Sequence, residues 1–253
     1  MGHGVHAIRP KTPAEIEGMR AACAFAARAM NHVAPLARPG VRTREIDEAA
    51  AAFIATAGES AFHGYHGYPA HVCVSVNEEL IHGIPGDREI RGGDIVSVDV
   101  GVRLNGFIGD LARTFLVGAV PGDVRRMVDT ARESFDAACA VLKAGCRVGD
   151  LSHAIQTHCE RQGYGVVRDY VGHGVGRELH EPPQIPNAGE RRRGAVIPLG
   201  ATLAIEPMIT LGAFKVKVKP DRWTVVTADG LPCAHYENTV LVTEDGCEIL
   251  TVA

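Results

Sequence analysis

The sequence contains no long hydrophobic run, no C-x-x-C motif and no extended block of like charge. Its longest mostly apolar run, at 49–57, is far shorter than the roughly 20 residues that cross a bilayer, which excludes a membrane-spanning helix. Basic charge is nowhere denser than the arginine triplet at 191–193, and the net charge is −4. Because phosphate groups bind to a concentrated basic face, neither a nucleic acid nor a membrane surface is expected as a partner.

Signals for secretion and for disulfides are missing as well. Residues 1–6 lack the apolar stretch after a basic start that marks a secretory signal. The seven cysteines are odd in number, and a chain of 253 residues buries a substantial core without disulfides, so we expect reduced thiols. These features predict a cytoplasmic protein. With 46% hydrophobic and 22% charged residues, the composition is that of a globular chain and excludes a disordered one.

Capping signals and apolar periodicity predict four helices in two pairs. The segment Thr12-Pro13-Ala14-Glu15 is a capping box with proline at the first helical position, and an amphipathic pattern follows it to about Leu36. A second helix is predicted from Thr43 to about Gly58, because acidic residues occupy its first turn. The other two helices are predicted at 123–143 and 151–161.

Alternating apolar residues predict strands at 72–76, 94–100, 107–117, 202–209, 224–226 and 239–242. Asn105-Gly106 is a hairpin signal that joins the second of these to the third. A shift of 105 residues aligns five positions of the two halves: Gly40 with Gly145, Arg42 with Arg147, Glu45 with Asp150, Ile46 with Leu151 and Gly58 with Gly163. The match predicts one fused domain of two related halves. Two unrelated helix pairs with similar caps are the alternative.

Four acidic residues lie inside strands that are otherwise apolar: Asp99, Asp110, Glu206 and Glu237. With a tight turn at Asn105-Gly106, Asp99 and Asp110 fall on one face, one diagonal step apart. A bare buried carboxylate is energetically costly, so a cluster of them requires cations. The alternative, separate salt bridges to lysine or arginine, is disfavoured because these strands carry no basic residues at the paired positions. The pattern therefore predicts a metal site.

Four histidines occur in glycine- or proline-rich contexts beside these strands: His66, His82, His173 and His180. Four carboxylates with an imidazole form a hard, oxygen-rich ligand set, which suits Mn, Fe(II) or Co better than a structural zinc. Carboxylates sufficient for two ions, with a shared water, indicate metal-assisted hydrolysis. The other histidines carry no functional prediction: His3, His6, His32, His63, His71, His153, His158 and His235.

Taken together, these segments resemble the type I methionine aminopeptidases, members of the pita-bread metallopeptidases. The similarity runs from Lys11 to Leu250, and its most specific part is a five-ligand pattern: Asp99, Asp110 eleven residues later, His173, Glu206 and Glu237. The resemblance implies an α+β pita-bread fold, with two pseudo-symmetric α/β halves around a central antiparallel sheet. It implies a single catalytic domain over 1–253, with internal halves of about 12–120 and 121–250.

The resemblance also implies two divalent metal ions, with Co, Mn, Fe and Zn as candidates. Asp99, Asp110 and Glu237 would bind one ion. The other would be bound by Asp110, His173, Glu206 and Glu237, so that Asp110 and Glu237 bridge the two. One monovalent cation is implied near Asn77, together with the backbone carbonyls of Glu79 and Cys233.

Catalytic and substrate-binding roles follow from the same resemblance. Glu206 would carry a proton from water to the leaving amine, and His180 would contact the substrate amide. His82 would bind substrate near the scissile bond, and His66 would lie further out. The methionine side chain would occupy a pocket of Tyr65, Tyr68, Cys73 and Trp223, where a thiol and aromatic edges suit a thioether. Core packing is the alternative for Trp223.

Two residues depart from the pattern of the relatives. Leu179 stands where many have an aromatic residue, and Phe62 stands where some have a small one. Both positions are expected to shape the methionine pocket without contacting the metals. The start Met1-Gly2 has a small second residue, so the chain is expected to be a substrate of its own activity.

The implied function is removal of the initiator methionine from nascent proteins when the second residue is small. One alternative is an aminopeptidase or dipeptidase acting on X-Pro bonds, and another is a non-catalytic pita-bread protein that binds RNA or partner proteins. The predicted partners are the N-termini of nascent polypeptides and, transiently, the ribosome, with no nucleic-acid specificity and no membrane. A monomer is expected, because the sequence contains no coiled coil.

Overall fold

The structure is a computed structural model that describes residues 7–253. Within these residues the chain forms four α-helices: α1 (Pro13–Val33), α2 (Thr43–Ile54), α3 (Gly122–Val141) and α4 (Val148–Arg161). The four predicted helices are confirmed, with their ends shifted by a few residues. The Met1-Gly2 start, His3 and His6 lie outside the described residues. None of the described helices has the length and apolar character that a bilayer crossing demands.

Fifteen strands occur in the same described residues, and every predicted strand region contains at least one of them. They are β1 (Glu59–Ser60), β2 (Cys73–Val76), β3 (Glu79–Ile81), β4 (Ile95–Leu104), β5 (Phe107–Leu116), β6 (Gly165–Val166), β7 (Val171–Gly174), β8 (Glu181–Pro186), β9 (Thr202–Ile205), β10 (Met208–Thr210), β11 (Val216–Val218), β12 (Val225–Thr227), β13 (Cys233–His235), β14 (Glu237–Val242) and β15 (Cys247–Ile249).

One antiparallel sheet dominates the fold. Its strands follow the order β1-β4-β5-β14-β9-β7-β8, with β2 paired to β4 and β15 paired to β14. Two three-stranded sheets, β13-β10-β6 and β11-β12-β3, complete the strand pairing of residues 7–253. Helix α1 packs on β4 and β5, whereas α3 packs on α4 and α4 on β8. The architecture is the α+β arrangement that the sequence predicts, with a helix pair in each half.

The helix starts of the two halves are built alike. In α2 the backbone N–H of Arg42 donates to the side chain of Glu45 (2.7 Å), and in α4 that of Arg147 donates to Asp150 (2.9 Å). An acidic residue at this position satisfies a backbone donor that the helix leaves free. The two starts are the pairs that the 105-residue shift aligns; the two related halves stay a prediction of the sequence.

The predicted strand at 202–209 is divided into two in the structure. Strand β9 ends at Ile205 and β10 begins at Met208, with Glu206 and Pro207 between them. Proline has no N–H to donate to a sheet, so it favours an end of the ladder. As a result β9 belongs to the large sheet and β10 to a small one, and Glu206 lies at the point where the chain leaves the large sheet.

Replacing Gly109 with alanine is expected to lower the free energy of unfolding by about 1–3 kcal/mol. A Cβ at this position of β5 would lie 2.6 Å from the backbone oxygen of Ala22 in α1, so helix and strand would have to separate. The matched control is Gly122→Ala in the first turn of α3, where a Cβ meets nothing within 4 Å. Urea unfolding should show the control unchanged or slightly stabilised; equal stability of both variants would contradict the close packing of α1 on β5.

Candidate metal centre

The hairpin of β4 and β5 brings Asp99 and Asp110 together. Asn105 and Gly106 have φ of 51° and 80°, the left-handed values that a tight two-residue turn requires. In the resulting register Asp99 lies opposite Ala112, two residues along β5 from Asp110. The two aspartates are therefore one diagonal step apart on one face, and the register predicted from the turn is confirmed.

Neighbouring strands of the large sheet supply the remaining groups. Glu237, the first residue of β14, lies opposite Ala112 from the other side. His173 of β7 lies opposite Ala204 of β9, and Glu206 follows directly after β9. Since β4, β5, β14, β9 and β7 are adjacent in this order, residues separated by up to 138 positions in sequence meet at one place in the sheet.

The side chains converge to distances that suit ligands of a common ion. One ligand atom each from Asp110, His173 and Glu237 all lie within 4.8 Å of one another. His173 Nε2 is 3.8 Å from Asp110 Oδ2 and 3.5 Å from Glu206 Oε1. The other ring nitrogen, Nδ1, donates to the carbonyl of Gly174 (2.9 Å). A hydrogen on Nδ1 leaves the lone pair of Nε2 free to bind a metal.

Burial makes this cluster unfavourable without a cation. It raises the pKa of Asp110 to about 7. It also raises the pKa values of Asp99, Glu206 and Glu237 well above the usual range, with a further increase from the neighbouring carboxylates. Burial lowers the pKa of His173 to about 3, so this ring is neutral at neutral pH. Four carboxylates and a neutral imidazole therefore face one another, and the repulsion between the carboxylates keeps protons bound to them.

The donor set fits divalent cations. Three buried oxygens of the carboxylate cluster have no hydrogen-bond partner: Asp99 Oδ1, Asp110 Oδ1 and Glu237 Oε1. Within residues 7–253 no lysine or arginine forms an ion pair with any of the four carboxylates, so the separate salt bridges of the alternative interpretation do not form. The adjacent guanidinium, that of Arg113, donates instead to the carbonyl of Glu237 and to the Asn238 side chain. Unpaired buried oxygens beside an imidazole lone pair are the chemistry that a hard divalent cation satisfies.

A cavity of about 160 Å³ opens beside the carboxylates. The side chains of the predicted methionine pocket line it: Tyr65, Tyr68, Cys73 and Trp223. Burial raises the pKa of the Cys73 thiol well above its usual value, so this group is neutral. The two departures from the relatives, Phe62 and Leu179, also lie in the wall. Three further wall residues have no signal in the sequence, because Ile81 and the consecutive pair Tyr170 and Val171 come from two segments without a shared motif.

Aromatic packing fixes one wall of this cavity. Tyr68 donates its hydroxyl hydrogen to the carbonyl of Gly83, with an O–O distance of 3.0 Å. Trp223 packs edge-on against Tyr68, with 5.1 Å between ring centroids. The tryptophan therefore contributes both to packing and to the cavity wall, so the two interpretations of Trp223 do not exclude each other.

The other predicted histidines lie on the open side of the cavity. His82 and His180 line it, and burial lowers the pKa values of both, that of His82 to about 4. The hydroxyl of Tyr65 is 2.7 Å from Nδ1 of His180. His66 packs edge-on against Tyr65 and lines only a wider groove outside the cavity. The structure thus brings His82 and His180 close to the carboxylates and leaves His66 further out.

The side chain of Asn77 is held by hydrogen bonds on both sides. Its amide nitrogen donates to Asp94 (2.8 Å), and its amide oxygen accepts from the N–H of Ile95 (3.0 Å). Its backbone carbonyl accepts from the N–H of Cys233 (3.0 Å). The monovalent cation at this position stays a prediction.

Comparison with known proteins adds a family and close relatives. The chain matches metallopeptidase family M24 over residues 17–244. Methionine aminopeptidase 1 of Bacillus subtilis is 46% identical over 242 residues, which cover 95% of this chain and 98% of the relative. The crystal structure of a methionine aminopeptidase from Thermotoga maritima superposes with a TM-score of 0.96 at 47% identity, covering 98% of this chain and all of that one. An Xaa-Pro dipeptidase from Bacillus anthracis, 24% identical, has a TM-score of 0.79 over 96% of this chain and 62% of its own, a likeness of fold alone.

Proposed function

The chain belongs to metallopeptidase family M24, among its type I methionine aminopeptidases, and on that premise we propose that it removes the initiator methionine from nascent polypeptides whose second residue is small. One observation carries the proposal. A buried cluster of four carboxylates and an imidazole opens on a cavity of about 160 Å³ walled by aromatic rings and a neutral thiol. Polarisable sulfur and ring edges suit a methionine thioether, and the carboxylates lie where its peptide bond would follow.

Divalent metal use is a property of the family, and we propose two ions for this chain. Asp99, Asp110 and Glu237 would hold one, and Asp110, His173, Glu206 and Glu237 the other. When bound, such ions lower the pKa of a water to make a nucleophile and polarise the scissile carbonyl. The two ions are proposed to be of the Mn, Fe(II), Co or Zn type, because oxygen donors predominate.

Glu206 is proposed to move the proton during hydrolysis. Its Oε1 faces His173, which lines the cavity, whereas its Oε2 faces His235, which does not. Oε1 is therefore the oxygen that would take the proton of the attacking water and release it to the leaving amine. Burial raises the pKa of this carboxyl, which favours it as a proton acceptor over an exposed glutamate.

His180 is proposed to donate to the carbonyl oxygen of the scissile bond. If the Tyr65 hydroxyl donates to Nδ1, the ring hydrogen lies on Nε2, which is then free to donate to substrate. A donor aimed at an oxygen that gains negative charge stabilises the transition state more than the ground state. His82 is proposed to bind the peptide near the same bond, and His66 to contact substrate further from it.

Replacing His180 with alanine is expected to lower kcat about 10²–10³-fold, the usual loss for one such donor, and to leave metal affinity unchanged. Tyr65→Phe keeps the histidine but removes the hydroxyl that orients it, so a smaller loss of about tenfold is expected. Steady-state release of methionine measures kcat, and calorimetric titration with Mn²⁺ measures the affinity. His63→Ala is the control, since His63 is exposed and lies outside the cavity; the proposed role fails if His180→Ala turns over as fast as this control.

The alternatives have less support. The likeness to enzymes acting on X-Pro bonds extends to the fold alone. A non-catalytic binding protein would not need five metal-ligating residues, all of which the chain retains. The cytoplasmic location, the monomeric state, the transient ribosome contact and the division into two halves stay predictions of the sequence.

The test of the proposed function is release of free methionine from Met-Gly-Met-Met by protein treated with EDTA and then given Co²⁺, Mn²⁺, Fe²⁺ or Zn²⁺. We expect release of methionine only after a metal is added. We expect cleavage of a Gly-Pro peptide to be much slower than cleavage of Met-Gly-Met-Met. Preferential cleavage of Gly-Pro would favour the X-Pro alternative. A folded protein that binds metal and cleaves neither peptide would overturn the proposal.

A further inference from the structure

One ionisable side chain inside the metal centre has no role in the proposed mechanism. His235, the last residue of β13, is 2% exposed. Its Nε2 is buried without a hydrogen-bond partner, 3.6 Å from Glu206 Oε2 and 3.9 Å from Glu237 Oε2. A buried polar atom left unpaired is unfavourable, so its place between two carboxylates calls for an explanation.

Two imidazoles face the two oxygens of Glu206. His173 Nε2 lies 3.5 Å from Oε1, and His235 Nε2 lies 3.6 Å from Oε2. The first nitrogen carries a lone pair, because Nδ1 of His173 holds the ring hydrogen and donates it to the carbonyl of Gly174. The second nitrogen faces two carboxylate oxygens, which accept hydrogen bonds when they are ionised. A hydrogen on Nε2 of His235 is attracted to both carboxylate oxygens, Oε2 of Glu206 and Oε2 of Glu237, whereas a lone pair on this nitrogen would repel both.

The backbone of His235 is fixed in position. Thr114 of β5 accepts from its N–H (3.1 Å) and donates to its carbonyl oxygen (2.8 Å), and the Ser97 hydroxyl lies 2.7 Å from that of Thr114. The imidazole is therefore held beside Glu206 before any ion binds.

We propose that His235 is a positioning residue whose Nε2–H donates to Oε2 of Glu206 and thereby keeps Oε1 directed at the cavity. Nε2 of His235 and Oε2 of Glu206 are 3.6 Å apart, so a movement of about 0.5 Å toward each other brings them within hydrogen-bond distance. With cations bound, Glu206 is an anion, and a hydrogen bond to an anion is about twice as strong as a neutral one. The proposal rests on the proposed function, because the carboxylate that His235 would position is a ligand of the proposed ions.

Two variants separate a hydrogen-bond donor from other roles. His235→Gln puts an amide N–H as many bonds from the backbone as Nε2, whereas His235→Leu fills the space without a donor. We expect the leucine variant to bind Mn²⁺ roughly 10–100-fold more weakly in calorimetric titration, the usual loss when a partner of a metal ligand is removed. The glutamine variant should stay within about threefold of the wild type.

Equal losses in both variants would overturn the proposal, because they would make the imidazole itself necessary. Unchanged affinity in the leucine variant would also overturn it, because the histidine would then only fill space. Thermal unfolding in EDTA checks the fold, and the leucine variant should be at least as stable as the wild type, since it removes an unpaired polar group.

A measurement on the wild-type protein does not depend on any variant folding. In the Co²⁺-loaded protein, proton NMR should show one strongly shifted, exchangeable imidazole N–H, from the metal ligand His173. A second imidazole N–H with a smaller shift is expected from His235, whose donated hydrogen lies one hydrogen bond beyond a ligand. A second N–H shifted as far as that of His173 would identify His235 as a ligand and refute its role as a donor. Wild-type protein that binds Mn²⁺ but releases no methionine would contradict the proposed function alone. The Mn²⁺ affinities of the two His235 variants can still be compared, because that measurement does not require activity.

Discussion

Replacing Asp110 with asparagine is expected to abolish methionine release and, in the same variant, to stabilise the metal-free protein. Asp110 is the proposed bridge between two ions, and the amide keeps its size but removes its charge. Loss of several kcal/mol of transition-state stabilisation corresponds to a fall of at least about 10³-fold in kcat/KM. Without metal, the charge of Asp110 lowers the stability of the folded protein, because burial raises its pKa to about 7 beside three other carboxylates.

The gain in stability is expected to be about 1–2 kcal/mol in EDTA at pH 7.5, the size common for removing an unfavourable functional group. Urea unfolding measures it, and methionine release measures the activity. Asp87→Asn is the matched control, since Asp87 is 75% exposed and pairs with Arg42 and Arg44 at the surface. This control should change neither quantity appreciably. An Asp110→Asn protein with wild-type activity would exclude Asp110 from the metal centre.

Removal of metal is expected to reverse the pH dependence of stability between pH 6.5 and 8. In the unfolded chain, aspartate and glutamate have pKa values near 4 and are fully ionised in this range. In the folded metal-free protein, Asp110 has a pKa of about 7, and Asp99, Glu206 and Glu237 have pKa values raised well above the usual range, so they still hold protons. Raising the pH removes protons from the folded state only, so the free energy of unfolding falls as the pH rises.

The slope is about 1.4 kcal/mol per pH unit for each proton that the folded state still binds. Below pH 6.5 the buried histidines act in the opposite sense, because the pKa values of His82, His173 and His235 are lowered to between about 3 and 4 in the folded protein. The unfolded chain, whose histidines have pKa values near 6.5, then binds more protons, so the free energy of unfolding rises with pH. Above about pH 7.5 they are neutral in both states and contribute little, whereas between pH 6.5 and 7.5 the protons that the unfolded chain still binds at these rings make the downward slope shallower.

With Mn²⁺ present, stability should instead rise with pH, since cations displace the protons that compete for the same oxygens. Urea unfolding at pH 6.5, 7.25 and 8, with EDTA or with Mn²⁺, measures the two slopes. The slope in EDTA should be shallower in Asp110→Asn, which lacks one of the titrating groups. A metal-free protein whose stability is constant or rises over this range would contradict the raised pKa values.

Short sequence patterns predict the secondary structure and part of the site. The capping box of Thr12 and Glu15 was recognisable because a cap depends on residues within four positions of one another, and it forms at the start of α1. The relation of Asp99 to Asp110 was equally local, because a two-residue turn sets the register of both strands. The pattern at 202–209 did not reveal where the chain leaves one sheet for another, although Pro207 was a signal for a break.

Other parts of the site had no local signal. Ile81 enters the cavity wall from one segment and the consecutive pair Tyr170 and Val171 from another, and no feature of these three residues themselves marks a cavity. His235 received no function from the sequence, although one indication was available. It lies two residues before Glu237, and in extended chain such residues point to the same side.

The sequence by itself determined the helices, the β4–β5 hairpin and the kind of chemistry. Caps, turns and acidic residues inside apolar strands can each be recognised from residues that are close together in the sequence. Only the tertiary structure decided which groups face one another. Asp110, Glu206 and Glu237 meet because β5, β14 and β9 are adjacent, an order that depends on packing over the whole chain. The same packing puts His173 on one oxygen of Glu206 and His235 on the other. The physical reason is that side-chain contacts across a sheet follow from strand order, which no short segment encodes.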